Sequence, residues 1–352
     1  MSTLRPRCRV ASAARAGAGA VLALTRRGGP RNPMLRLATV LFSAGVLAAC
    51  AGRDVDIRAA ERVRVELDRR NAEVVVRYYL GGFAGADGGD PVAAGLLALD
   101  GGGLWMYPAA LPAGARETLV DDGDGVLDDE EFTAWAGATY RDARALPATI
   151  EDLGQTWSAS DTSWFSFDIE GSPMTHARRR LFAPVSAVRE AIVRFAEEGE
   201  LTYPPGTLLV GEHVVDGQVA ETTVKRRRAD GFWDFMVYDG AGRLAGATSA
   251  PPRGLRAPAQ CTGCHLGSRL FEPDRSFPAP APAGPAGPRA VVVPDAWRDA
   301  GAAAIFREHA ARTDHVLGPY ATVYVGRLRA DRAAGRSLPR EDIELLERLE
   351  RR

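Results

Sequence analysis

Residues 208–238 read LLVGEHVVDGQVAETTVKRRRADGFWDFMVY, and this stretch decides the fold class. Runs rich in β-branched and aromatic residues predict strands over Leu208–Val215, Ala220–Arg226 and Phe232–Tyr238. A fourth run of the same character, Ser163–Ile169, lies upstream. The centre of the chain is therefore predicted to be rich in strands.

Helical patterns flank these strands on both sides. Apolar residues recur at helical spacing along residues 54–80, which predicts one long amphipathic helix. The same spacing predicts further helices around an acidic loop, between the strands and near the C-terminus: 113–145, Ser186–Glu197, 295–312 and 339–351. These patterns predict an α+β fold with four parts after the leader: a helical region (51–148), a β-rich domain (149–275), a Pro-rich linker (276–294) and a helical tail (295–352).

The distribution of charge excludes one class of function. The 352 residues carry a formal net charge of −1, but residues 1–50 contain eight arginines and no acidic residue. Residues 51–352 therefore hold 36 basic and 45 acidic side chains, a net charge of −9. An acidic surface repels phosphate backbones, so we expect no nucleic-acid partner. Lys225 is the only lysine, which we interpret as a consequence of a GC-rich genome.

Residues 34–50, MLRLATVLFSAGVLAAC, have the organisation of an export signal. A positive residue precedes an apolar stretch that is too short to span a bilayer. The end of the segment, from Leu47 to Cys50, resembles the lipobox of bacterial lipoproteins, which implies lipidation of Cys50. Ala51 rather than Asp follows, and by the same resemblance this favours the outer membrane. Met34 is an alternative true start of the leader, and a plain secretory signal stays open.

Cys261-Thr262-Gly263-Cys264-His265 carries the most informative chemical pattern of the chain. The spacing C-x-x-C-H is typical of covalent c-type haem attachment, in which two thiols bond the vinyl groups and the histidine ligates the iron. A thioredoxin-like pair would need a βαβ context, and a zinc site would need two more nearby ligands. The sequence offers neither, whereas a disulfide between Cys261 and Cys264 stays open.

Segments upstream of this motif have a familiar order. YPPGTLLVGE (203–212) and GFWDFMVY (231–238) precede the motif, and RRRLFAPV (178–185) precedes both. This order resembles the cytochrome P-460 family, which includes cytochrome c′-β, over about residues 150–275. The resemblance implies a small antiparallel β-sheet structure with helices and one haem c. It also implies that Cys261 and Cys264 bind the haem and that His265 is the proximal iron ligand.

One departure from the family pattern concerns reactivity. In the cytochrome P-460 enzymes a lysine in the P-x-G-T strand is cross-linked to the haem, and these enzymes oxidise hydroxylamine. The matching residue here is Gly211, which cannot form that bond. Lys225 lies on a later strand beside three arginines, and we interpret it as part of a solvated basic face. The resemblance therefore favours the cytochrome c′-β side, an uncross-linked haem that binds small diatomic ligands.

The distal side of such a haem stays open at this stage. Glu212 is interpreted either as a proton carrier near the iron or as the partner of an arginine. Aromatic residues on the predicted strands are interpreted as sheet core rather than haem cap: Phe165, Phe167, Phe182, Trp233 and Phe235. Any sixth iron ligand would come from the remaining histidines and methionines: His176, His213, His309, His315, Met106, Met174 and Met236.

Residues 120–131, VDDGDGVLDDEE, resemble an EF-hand calcium loop. Aligning Gly125 with the invariant glycine assigns these ligand positions: Asp122, Asp124, the Val126 carbonyl, Asp128 and Glu131. Val120 occupies the first position, where an aspartate is expected, so an acidic surface turn without calcium is the alternative. The flanking helical patterns fit the calcium interpretation.

These features together predict a c-type cytochrome, lipid-anchored on the periplasmic side of a bacterial outer membrane. We expect it to bind a small diatomic or nitrogenous ligand or to exchange electrons with a redox partner. Two alternatives are an oxidoreductase acting on hydroxylamine or another small nitrogen compound, and a calcium-binding structural module of the envelope.

Overall fold

The computed structural model describes residues 56–170, 178–249, 254–266, 277–279, 281–284, 287–307 and 318–352, without the side chains of Cys264, 281–284 and 287–289. The described residues form eight α-helices: α1 (Ala72–Ala84), α2 (Ala113–Glu117), α3 (Asp129–Ala143), α4 (Val185–Glu198), α5 (Ala259–His265), α6 (Ala300–Arg307), α7 (Gly318–Ala333) and α8 (Arg340–Glu350). They also form twelve strands: β1 (Val63–Val65), β2 (Leu97–Asp100), β3 (Gly103–Met106), β4 (Val126–Leu127), β5 (Trp164–Glu170), β6 (Arg178–Pro184), β7 (Leu208–Val215), β8 (Gln218–Arg227), β9 (Trp233–Asp239), β10 (Leu244–Ala245), β11 (Ala281–Gly284) and β12 (Gly287–Val292). Helices beside mainly antiparallel sheets confirm the predicted α+β class.

The main sheet contains eight strands in the order β10-β9-β8-β7-β6-β5-β12-β11. Every neighbouring pair is antiparallel. Strands β5, β7, β8 and β9 agree with the four predicted runs within two residues at either end. In register, Lys225 on β8 lies between Leu209 on β7 and Phe235 on β9, so these three side chains share one face. We call this face the inner face.

Helices pack on the inner face of the main sheet, and a smaller apolar cluster is buried on its opposite face. Phe165 and Phe167 of β5 make edge-on ring contacts with Tyr324 and Tyr320 of α7. The opposite, outer face buries a separate apolar cluster: Trp164, Phe182, Leu208, Val210, Val224, Met236 and Tyr238. A strand alternates its side chains between the two sides of a sheet, and this alternation produces the two clusters.

The predicted single helix over 54–80 is wrong. Its first half contains β1, in which Val63 and Val65 are buried and Arg64 is exposed, and the helix α1 starts only at Ala72. β1 joins a four-stranded sheet of order β2-β3-β1-β4. The region 51–148 is therefore not purely helical. A three-residue alternation is too short to outweigh helical periodicity, and tertiary pairing decides its conformation.

The C-terminal third departs from prediction in two places. β12, within the predicted Pro-rich linker, pairs with β5 through Ala290–Val292, so this segment extends the main sheet. Proline is compatible with such a position near a sheet edge. The predicted helix at 295–312 is a 3₁₀ turn (Asp295–Trp297) followed by α6, and residues 308–312 lie outside the described residues. Helix α8 confirms the prediction over 339–351 within one residue.

Helix α7 had no counterpart among the predicted elements. Its residues from Gly318 to Gly326 are all buried, so it shows no polar face in its first half. A helix that is surrounded by protein has no amphipathic periodicity to read, and this explains why the pattern missed it.

Candidate functional site

The C-x-x-C-H pentapeptide lies on helix α5, which follows Pro258. Positions 261, 264 and 265 are three and four residues apart, so the helix places them on one face. Between them, the buried Thr262 donates its hydroxyl hydrogen to the Ala259 carbonyl over 2.8 Å. The Cys261 side chain is half-buried and packs against the main core. The backbone thus presents the two cysteine positions and the histidine in one direction.

His265 rests on the inner face of the main sheet. Its ring lies 4.8 Å from that of Phe235, centroid to centroid, at an interplanar angle of 36°. The Phe235 backbone N–H donates to the Tyr140 hydroxyl over 2.7 Å, which ties β9 to helix α3. One predicted core aromatic, Phe235, is therefore both sheet core and the platform beneath the motif histidine.

The inner face beside Phe235 is not fully covered. Thr223 and Lys225 lie in the middle of a central strand and yet remain partly exposed, whereas Leu209 in the neighbouring strand is fully buried. Gly211, opposite Thr223, has no space for a side chain: a Cβ there would lie 2.9 Å from the Thr223 Oγ1 atom. This partly exposed patch lies on the same sheet face as Phe235, against which the motif histidine packs.

Lys225 does not occupy the solvated basic face that the sequence predicted. Its side chain is half-buried on the inner face, in register with Phe235 on one side and Leu209 on the other. The arginines that follow it in sequence alternate between the faces. Strand parity, which the residue type alone does not reveal, places the lysine toward the motif helix.

Two residues that sequence reasoning missed support helix α5 from the N-terminal region. The Asn71 amide donates to the Leu266 carbonyl over 2.6 Å. Tyr79 of α1 is buried, and burial raises the pKa of its hydroxyl to about 12; the Thr262 hydroxyl acts in the opposite direction. No local pattern identifies such contacts, because the partners are almost 200 residues apart in sequence.

Most candidates for a distal role lie away from helix α5. Glu212 faces the outer side, where its carboxylate accepts a hydrogen bond from the Trp157 indole over 2.9 Å. Met236 is buried in the outer cluster and Met106 in the small sheet. Among the aromatic candidates, Phe182 also belongs to the outer cluster. Four further candidates lie outside the described residues: Met174, His176, His309 and His315.

His213 is the remaining candidate on the inner face. It is fully buried on β7, and its Nδ1 atom lies 3.2 Å from the Oε1 atom of buried Glu221 on β8. Burial, and then the charge of Arg179 on the adjacent strand, lowers the pKa of His213 to about 3. Its Nε2 atom makes no hydrogen bond within the described residues. The imidazole is therefore neutral.

The acidic loop lies between α2 and α3, as its flanks predicted. Its carboxylates bond the loop's own backbone: Asp121 accepts from Gly125 N–H over 2.9 Å, and Asp124 accepts from Val126 N–H over 2.8 Å. Glu131 accepts from the Asp122 N–H (2.6 Å) and the Asp128 N–H (3.0 Å). Burial raises the pKa of the Glu131 carboxyl above its usual range, whereas these two hydrogen bonds lower it.

The same loop is anchored by its neighbours. Asp128 caps helix α3 by accepting from the N–H groups of Glu130 and Glu131, and Val126–Leu127 pairs in parallel with β1. Across the described ranges, no group of three or more His, Cys, Asp or Glu side chains is arranged to hold a metal ion. Calcium binding through the Val126 carbonyl and four carboxylates stays a prediction: Asp122, Asp124, Asp128 and Glu131.

Cys50, Met34 and the whole leader lie outside the described residues, so lipidation and export stay predictions. Within the part of the chain that is described, no helix combines the length and the apolar character needed to cross a membrane.

Comparison with protein-family models, with curated proteins and with solved structures finds no match to this chain. The resemblance to the cytochrome P-460 family therefore stays a prediction, carried by the motifs of residues 178–265.

Proposed function

We propose that this chain is an exported c-type haem protein that binds a small ligand or transfers electrons at a single haem c. The observation that carries the proposal is the placement of the C-x-x-C-H helix against the partly open inner face. The His265 ring packs against that of Phe235 at an interplanar angle of 36°, and the partly exposed Thr223 lies on the same face. A covalently held haem requires both a thiol pair and an adjacent surface for the ring.

The chain's own residues would divide the work at this site. Cys261 and Cys264 would hold the ring edge, and His265 would ligate the iron from the helix side. Gly211 is buried beneath the Thr223 and Leu181 side chains, so its role is to let these side chains pack against β7. The haem, when bound, supplies the redox couple and the coordination site for a small ligand. Phe235 restricts rotation of the His265 ring, which keeps its orientation fixed.

The experiment is absorption spectroscopy of the chain produced in a periplasm with c-type haem maturation. We expect stoichiometric covalent haem by mass, a c-type spectrum after reduction, and a shifted Soret band with carbon monoxide. A Cys50→Ser variant should keep the haem and lose the lipid, which separates attachment from anchoring. Protein that carries no covalent haem under these conditions would contradict the proposal.

A second candidate, an oxidoreductase acting on hydroxylamine or another small nitrogen compound, is favoured by the position of Lys225. Lys225, the only lysine of the chain, lies on β8 and shares the inner face with Phe235 of β9. It is two strands away from Leu181 of β6, which pairs with Gly211 of β7. This candidate predicts a displaced and broadened ferrous Soret band that a Lys225→Arg variant restores to a plain c-type band. A plain band in the wild type, together with no hydroxylamine turnover, would reject it.

A further inference from the structure

A cleft of about 440 Å³ opens where strands β8 and β9 meet the C-terminal ends of helices α1 and α3. Charged residues line it: Arg144, Arg226, Arg227, Arg228, Asp87 and Asp234. None of them belongs to the site described above. Arginine presents a planar set of donors that matches the geometry of a carboxylate or phosphate group.

The centre of this arginine cleft is Asp234, whose side chain is completely buried. Arg144, only 2% exposed, donates to both carboxylate oxygens of Asp234, from Nε over 2.8 Å and from Nη2 over 3.2 Å. Arg226 donates to the Oδ2 atom from Nη2 over 2.8 Å and from Nε over 3.1 Å. Two guanidinium groups thus share one carboxylate.

A third guanidinium completes the cluster. Arg228, 1% exposed, lies 4.0 Å from Asp234 and pairs more closely with Asp230. Three buried or half-buried positive charges therefore meet two buried carboxylates. A net positive charge away from water is costly unless an anion neutralises it. Asp87, at the rim, is exposed to solvent, which weakens its contribution through screening.

Arg226 has the donor group that an incoming anion would meet. Its side chain is 28% exposed, and its Nε and Nη2 groups are occupied by Asp234 and by the Arg144 carbonyl. Within the described residues, its Nη1 group makes no hydrogen bond. The cluster therefore holds a guanidinium in a fixed position with its outer end directed away from Asp234. Such preorganisation reduces the entropy that is lost on binding.

We propose that the arginine cleft binds an oxyanion, the phosphate or carboxylate group of a small molecule, through the free end of Arg226. The site is independent of haem, so the two proposals succeed or fail separately. Asp234 acts as a positioning residue that holds the arginines, and Asp87 opposes the ligand by like charge.

The test is isothermal titration calorimetry of the full mature chain with inorganic phosphate and with succinate, against chloride at the same ionic strength. We expect one saturable site per chain for at least one of the two probes and none for chloride. Binding of one probe alone assigns the oxyanion as phosphate or as carboxylate. No saturable heat with either probe would overturn the proposal.

Three variants sharpen the measurement. Arg226→Gln should weaken binding about tenfold, the usual loss for a charge-assisted hydrogen bond. Asp87→Asn should tighten binding, because it removes a negative charge from the rim without breaking any side-chain bond. Arg243→Gln is the matched control, since this exposed arginine pairs with Asp239 at the far end of β9, and it should change nothing.

The first two variants are expected to change the affinity in opposite directions, and this keeps the test decisive. If Arg226→Gln does not fold, the exposed Asp87→Asn variant still reports on the cleft. Unchanged affinity in Asp87→Asn, or equal weakening by Arg226→Gln and Arg243→Gln, would show non-specific screening and reject the site.

Discussion

Two short motifs stand out in the sequence, and the fold treats them differently. The C-x-x-C-H helix is supported by distant residues: Phe235 lies beneath His265, and Asn71 bonds the carbonyl that follows it. The acidic loop is supported mainly from within, because its carboxylates accept from its own backbone N–H groups. One motif is thus built into the core, and the other is a local surface structure.

This difference indicates where a substitution should matter. A motif that rests on buried, long-range contacts is sensitive to changes far from it in sequence. A loop whose carboxylates bond its own backbone is sensitive mainly to its own residues. We therefore expect large effects around helix α5 and the inner face, and small ones in the loop.

The largest effect is expected from removing both thiols. A Cys261→Ser, Cys264→Ser double variant should carry no covalent haem, because the thioether bonds have no other source at this site. Denaturing gel electrophoresis with haem staining measures this directly. Residual covalent haem in the double variant would show that the C-x-x-C-H helix is not the attachment site.

The next largest effect is expected at Asp234, which precedes Phe235 on strand β9. Asp234→Asn keeps the shape of the side chain but leaves the buried Arg144 without its charge partner. In the wild type, burial lowers the pKa of Arg144, but the hydrogen bonds and charge of Asp234 outweigh this effect and raise it overall. Breaking one side of a buried pair costs about 3–5 kcal/mol of unfolding free energy. Chemical denaturation measures it.

The matched control for that variant is Asp87→Asn, since Asp87 is an exposed carboxylate of the same cleft. Its cost should stay within about 0.5 kcal/mol. Equal costs for the two variants would mean that the buried ion pair with Arg144 does not stabilise the fold.

His213 should make stability depend on pH. Its pKa is about 3 in the folded chain and about 6.5 when unfolded, so the unfolded chain binds a proton first as the pH falls. The stabilisation is complete above pH 6.5 and is lost between pH 6.5 and 3, at up to about 1.4 kcal/mol per pH unit. The imidazole faces Glu221 and Arg179, which have opposite charges, and burial dominates.

A His213→Gln variant isolates this contribution, because all other titratable groups are present in both proteins. Denaturant midpoints measured from pH 7 to pH 3.5 should fall less steeply in the variant than in the wild type. Parallel curves would show that His213 is not held neutral.

A smaller effect is expected at Asn71. Asn71→Ala removes the bond to the Leu266 carbonyl and should cost about 1 kcal/mol. Hydrogen exchange should also show faster opening of helix α5. Arg70→Ala, an exposed neighbour, is the control and should leave α5 protection unchanged. Identical hydrogen exchange in the two variants would show that the Asn71 bond does not stabilise helix α5.

The smallest effect is expected in the acidic loop. Glu131→Gln leaves one of two backbone N–H groups without its acceptor and should cost less than about 1 kcal/mol, with Glu130→Gln as the exposed control. If the loop binds calcium, the ion should raise the melting temperature of the wild type and of Glu130→Gln only. A large loss of stability for Glu131→Gln without calcium would contradict the view that the loop contributes less to the fold than helix α5.

The sequence by itself determined the α+β class, four strands of the main sheet and helices α4 and α8, because each has a periodicity that persists over seven or more residues. The C-x-x-C-H spacing at 261–265 predicts haem attachment, and this chemistry stays a proposal. Local patterns are sufficient to predict an element where its residue spacing persists along the whole element.

Only the tertiary structure decided the rest. Lys225 faces the motif helix, Glu212 faces away, β12 joins the main sheet, and α7 is buried on all sides of its first half. These outcomes depend on strand parity, long-range strand pairing and burial by distant elements. Each is a property of residues distant in sequence, and no local pattern contains it.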